Sequence, residues 1–165
     1  MDRKRRKLRD SPVDDDYFMG LAHMVAAGSK SPFLPVGAVV ADANGRRLAV
    51  GVDSPPAPLA GAHTLEEDLV IHAEIQALRG FLPSHGGVLY VTARPCLPCV
   101  CEAMQVGIRR VLYCDSREPD PLWTRVLEIA RQGYIQLEEY KGDLNWIRDH
   151  VKWMEARGLF AQAPI

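Results

Sequence analysis

At 165 residues the chain is sized for one domain around one core, since domains commonly run to about 100–200 residues. Its composition, 47% hydrophobic and 25% charged, is that of a folding globular chain and excludes a disordered or collagen-like one. The formal net charge of −1 conceals a basic start: residues 1–10 hold six Lys or Arg against two Asp, which leaves −5 on the remainder, and a body of that sign lacks the basic surface that gripping long nucleic acid requires.

Residues 1–13 read as a disordered basic leader, whose charge run also leaves nuclear entry open, and residues 14–165 are expected to form the single domain. No apolar run approaches the roughly 18 residues of a membrane span, and the start lacks the apolar stretch of a secretory signal, so a cytoplasmic chain without a membrane partner is expected. Asp14 to Asp16 followed by Tyr17, Phe18, Leu21, Ala22 and Val25 predicts a first helix ending near Gly28. VGAVVAD (36–42) and RLAVGVD (47–53), separated by Ala43-Asn44-Gly45-Arg46, predict an antiparallel hairpin. Proline-rich 54–64 reads as a loop, and a second helix is predicted over Leu69 to Phe81, stopping before Pro83.

Val88 to Thr92 predicts a third strand, Cys96 to Val106 a helix stopped by Gly107, and Arg110 to Cys114 a fourth strand. Pro121 to Arg131 then reads as a helix, Ile135 to Tyr140 as a fifth strand, and Asp143 to Arg157 as a last helix with Asp143 as its cap and Gly158 as its stop. This alternation predicts an α/β domain, a five-stranded mixed sheet with helices on both faces. The link from Cys114 to Ile135 is long enough for a helical crossover, which makes strands four and five parallel.

Four cysteines in an intracellular chain point to a metal or to catalysis and away from disulfides. His72-Ala73-Glu74 opens the second helix, and Pro95-Cys96-Leu97-Pro98-Cys99 lies where the third strand turns into the third helix. Two cysteines three apart in a first helical turn project to one side, so Cys96 and Cys99 offer two zinc ligands and His72 a third. The fourth position of the tetrahedron stays open to water, the mark of a catalytic zinc. Helix N-termini favour thiolates, and Pro95 presets the entry to the third helix. Zinc brings the pKa of bound water to about 7, but a base must still move protons, and Glu74 is the candidate. The rival for Cys-x-x-Cys is a redox dithiol, against which His72 and Glu74 both argue.

The order H-x-E followed by P-C-x-x-C resembles the signature of zinc nucleobase deaminases. YFMGLAHMVAAGSKSP (17–32), VGAVV, LYVTARPC and GIRRVLYCD (107–115) resemble the deoxycytidylate deaminases over roughly residues 14–140. That resemblance implies a three-layer α/β/α cytidine deaminase-like fold and hydrolysis of a cytosine nucleotide, with dCMP giving dUMP and ammonia. It implies His72, Cys96 and Cys99 as ligands, Glu74 as proton shuttle, the Ala73 N–H as a contact to the base, and a homo-oligomer. LPVGAVV and HAEIQALR resemble tRNA adenosine and guanine deaminases at least as well, and the acidic body sets that branch second. A catalytically silent binding subunit of the same fold stands third, and an intact Glu74 counts against it.

Where deoxycytidylate deaminases carry a Gly-Tyr-Asn-Gly loop, this chain has Gly51-Val52-Asp53-Ser54, so a sugar hydroxyl falls to Asp53. A second, structural zinc of some members finds only His63 in the corresponding loop, without a cysteine, so one zinc per chain is expected. Lys30 and Arg117, with Arg94, are candidates for the phosphate, and Trp123 with Tyr113 for stacking on the base. Cys101 and Cys114 read as small core residues, and His23, His85 and His150 show no partner pattern. Apolar Trp146, Ile147, Val151, Trp153 and Met154 on the last helix exceed what one sheet face needs, which also favours a homo-oligomer.

Overall fold

The computed structural model describes residues 14–31, 33–46, 48–59, 69–81, 86–114 and 121–157. The leader, Arg117, His63, His85 and Gly158 lie outside the described residues. Asp14 is extended, and its carboxylate accepts the N–H groups of Asp16 and Tyr17 at 3.1 and 3.3 Å, starting α1 (Asp15–Ala26). The hairpin follows as β1 (Gly37–Ala41) and β2 (Leu48–Val52), with Val39 opposite Val50. Its turn is made by Gly45, at φ 66°, and by the Asp42 carboxylate, which accepts from the N–H groups of Asn44 and Arg46.

Next come α2 (Ala73–Arg79), β3 (Gly87–Val91), α3 (Leu97–Gln105), β4 (Ile108–Tyr113), α4 (Trp123–Gln132), β5 (Gln136–Glu139) and α5 (Asn145–Glu155). The strands lie in the order β2-β1-β3-β4-β5. β1 is antiparallel to both β2 and β3, while β3, β4 and β5 run parallel, including the pair expected from the long crossover. β1 and β3 are buried at every position, as their unbroken apolar sequences require of strands covered on both faces.

Two apolar layers close the sheet. On one face Phe18, Met19 and Ala22 of α1 pack on Val39, Ala41, Val88, Tyr90 and Leu112. On the other, Ala77 and Leu78 of α2, Val100 and Ala103 of α3, and Val126 and Ala130 of α4 pack on Ala38, Val40, Leu89, Val91 and Val111. The result is the three-layer α/β/α arrangement. Small residues set the spacing of these layers: a Cβ at Gly51 would run into the Ala73 carbonyl, so the N-terminus of α2 rests directly on the β2 backbone.

Three sequence expectations are corrected. The second helix begins at Ala73 and not at Leu69, because Ile71 pairs with Ser54 through backbone bonds of 2.9 and 3.2 Å that hold it extended. Asp143 accepts the N–H of Asn145 at 2.7 Å from two residues away, but Leu144 occupies the capping position of α5. Cys101 is exposed, since α3 buries the side carrying Cys99, Val100 and Ala103. The fourth helix starts at Trp123, two residues after Pro121. On α5 no residue is buried; Trp146 stacks on Tyr17 with ring centroids 6.4 Å apart, and Trp153 is 47% exposed. No helix among the described residues is long and apolar enough to cross a membrane.

Candidate active site

β3 ends, and β4 beside it, at the edge of the sheet where α2 and α3 begin. His72 is the last extended residue before α2 (φ −63°, ψ 145°), set there by the Ser54–Ile71 bridge. Cys96 is its counterpart before α3 (φ −81°, ψ 167°), and Cys99 lies in the first turn with Pro98 ahead of it. The two caps face each other. His72 Nδ1 is 3.4 Å from each sulfur, and the two sulfurs are 3.4 Å apart. Two sulfurs and a nitrogen bound to one tetrahedral zinc sit roughly 3.5–3.8 Å from one another, so this triangle fits that ion with a few tenths of an ångström of expansion. Among the described residues these three form a single His/Cys/Asp/Glu group of metal-binding geometry.

The electrostatics agree with a cation at this point. Hydrogen bonding with Cys99 holds the Cys96 thiol well below its ordinary value, helped by His72 and opposed by burial. The same bond, burial and the Glu74 carboxylate push the Cys99 thiol up. A divalent ion resolves the crowding of the two sulfurs by taking both as thiolates. Glu74, 3% exposed, is in the first turn of α2 and acts on Cys99 from beside the triangle. Its carboxylate shares a hydrogen bond with Cys99, which sets it at the edge of the triangle. Ala73 is fully buried as the first residue of α2, where helical N–H groups have no intrahelical acceptor.

The remaining expected residues fall into distinct places. Asp53 is buried, and its carboxylate accepts the Val36 N–H at 2.8 Å while its backbone carbonyl accepts Ser29 Oγ at 3.3 Å. It therefore ties the end of β2 to the start of β1 and to the segment after α1. Lys30 is exposed next to it. Trp123 is half-buried at the start of α4, edge-on to Tyr113 at 5.3 Å and covered by the Arg94 guanidinium at 5.0 Å. That packing makes Trp123 a wall more than a free stacking surface. Sequence reading missed Gln76, whose amide donates to the Val52 carbonyl and to Ser54 Oγ, both at 2.7 Å, and so clamps α2 to the strand beside His72. No local spacing marks it, because its partners Val52 and Ser54 lie 24 and 22 residues away.

A family model described as the cytidine and deoxycytidylate deaminase zinc-binding region matches residues 12–115. ComE operon protein 2 of Bacillus subtilis (strain 168) is 30% identical over 137 residues, covering 75% of this chain and 71% of that one. A probable deoxycytidylate deaminase of Drosophila melanogaster is 32% identical over 124 residues, covering 64% of this chain, which spans 61% of the fly protein. Among solved structures, the dCMP deaminase of cyanophage S-TIM5 in complex with dCMP and dUMP superposes with a TM-score of 0.61 at 28% identity, over 76% of this chain and 95% of that one.

Proposed function

The chain belongs to the cytidine and deoxycytidylate deaminase zinc-binding family, and on that premise we propose that it hydrolyses a cytosine nucleotide, dCMP and water giving dUMP and ammonia. The observation that carries this reading is the His72, Cys96 and Cys99 triangle with buried Glu74 beside it. His72, Cys96 and Cys99 hold one zinc ion per chain. Bound there, zinc supplies the Lewis acidity that turns water into a nucleophile at neutral pH.

The chain's own residues do the rest. Glu74 takes a proton from the attacking water and passes it to the ring nitrogen; it then takes the second proton from the hydroxyl now on the ring carbon and gives it to the amine, which leaves as ammonia as the C–N bond breaks and the C=O bond forms. Its burial keeps that proton in the site between the two transfers. The Ala73 N–H donates to the base, using a donor that the helix leaves over. Lys30 and Arg117 answer the phosphate, Trp123 walls the base, and Asp53 holds the floor of the sugar site through Val36 and Ser29. The relative solved with dCMP and dUMP supports this choice of nucleotide. Self-association through the apolar side of α5, where Trp153 is exposed and Val151 and Met154 are half-buried, completes the reading.

Ammonia release by the zinc-loaded chain is measured on dCMP, CMP, dCTP, deoxycytidine, guanine and a tRNA anticodon stem–loop. The expected result is turnover of dCMP that falls about 10²–10⁴-fold in Glu74→Ala with zinc retained. Activity on guanine or the stem–loop alone overturns the nucleotide assignment. Silence across the panel with zinc bound overturns hydrolysis and leaves a binding subunit.

A further inference from the structure

A second sulfur cluster lies under α1, on the opposite layer from α2 and α3. Cys114, the residue after β4, has its Sγ 3.7 Å from Met19 Sδ and 3.5 Å from His23 Nε2. Met19 and His23 are four apart on α1 and so share a face. Cys114 is held from the other side by its N–H, which donates to the Val91 carbonyl at 3.1 Å. Met19 is fully buried, Cys114 half-buried, and His23 reaches solvent, so the three donors run from the core to the surface.

We propose that Cys114, His23 and Met19 form a second metal site, one that takes a cuprous ion. Thiolate, thioether and imidazole together are a soft donor set, and thioethers in particular select Cu(I) over calcium or magnesium. Atoms bound to one ion about 2.1–2.3 Å away lie roughly 3.5–4 Å from one another, the spacing at which the Cys114 sulfur stands from Met19 Sδ and from His23 Nε2. On binding, the Cys114 S–H bond breaks, a sulfur–copper bond forms, and one proton leaves to solvent with no change of oxidation state. The site shares no residue with the His72, Cys96 and Cys99 triangle and does not depend on the deaminase reading.

The test uses the zinc-loaded full chain in a Cys101→Ser background, which removes the exposed competing thiol. Cuprous ion is supplied anaerobically as its acetonitrile complex against bathocuproine disulfonate, with copper and zinc both counted per chain. The expected result is one copper bound with zinc unchanged, one proton released, and a shifted His23 ring resonance. Cys114→Ser should weaken binding more than about 100-fold, beyond the roughly 10–100-fold that loss of an outer-shell partner costs. Met19→Leu, which conserves volume, should weaken it less, the thioether being the weakest donor. Equal uptake by Cys114→Ser, copper entering as zinc leaves, or an unmoved His23 resonance in the unmutated cluster would each overturn the proposal. The resonance needs no substitution at the cluster and so decides the matter even if Cys114→Ser fails to fold.

Discussion

The two sulfur clusters of this fold differ in how their donors reach one another. His72, Cys96 and Cys99 stand at the starts of two helices, and the three-residue step from Cys96 to Cys99 is local. Met19 and His23 sit in mid-helix and meet a cysteine 95 and 91 residues away. A Met and a His four apart on an amphipathic helix look like ordinary packing until the strand that carries Cys114 is laid against them. Chemistry written into a cap is readable as a motif, whereas chemistry assembled between layers appears only once the layers have been stacked.

Cys99→Ala separates the clusters most widely. It should empty the metal triangle and abolish hydrolysis, a larger loss than Glu74→Ala, while the His23 ring resonance stays in place; metal analysis and NMR together check it. Gly51→Ala comes next. Its methyl meets the Ala73 carbonyl, and overpacking of this kind costs about 1–3 kcal/mol in urea unfolding. It should also weaken metal retention by tilting α2, again without disturbing His23.

Asp53→Ala should cost about 1–3 kcal/mol by stranding the buried Val36 N–H, and Asp53→Asn should recover most of that loss because an amide oxygen can accept the same bond. A failure of Asn to rescue stability would assign Asp53 a need for charge and not merely for an acceptor. The smallest effect belongs to Glu138, whose carboxyl is held below its ordinary 4.5 chiefly by the hydrogen bond from Arg110, which also binds Asp15 of α1. Its contribution is complete above pH 4.5 and fades as the pH drops through the lowered folded value. Glu138→Gln should therefore flatten the acid limb of a thermal-melt series, by under about 1 kcal/mol because solvent screens the pair.

Period and punctuation made the elements legible: alternating and continuous apolar runs marked all five strands, and Gly107, which adopts φ 87° after α3, marked a helix end. The parallel pairing of β4 and β5 followed from chain length alone. What stayed hidden depended on distant partners. The true start of α2 is fixed by Ser54, far from Ile71 in sequence. The exposure of Cys101 depends on which side of α3 meets α2 and α4, since most of LPCVCEAM is apolar. The tie from Asp53 to Val36 was hidden because a buried backbone donor 17 residues away leaves no trace in the residues around Asp53. His150, too, acquires a companion only in the folded helix, stacking on Trp153.

The paired bonds between Ser54 and Ile71 close the neck of the excursion that leads from β2 into α2. With the neck fastened, the placement of His72 is insulated from the number of residues above it. Lengthening a closed loop is inexpensive, with each doubling adding about 0.6 kcal/mol of closure entropy. The bridge thus uncouples where His72 stands from how much chain joins its two ends.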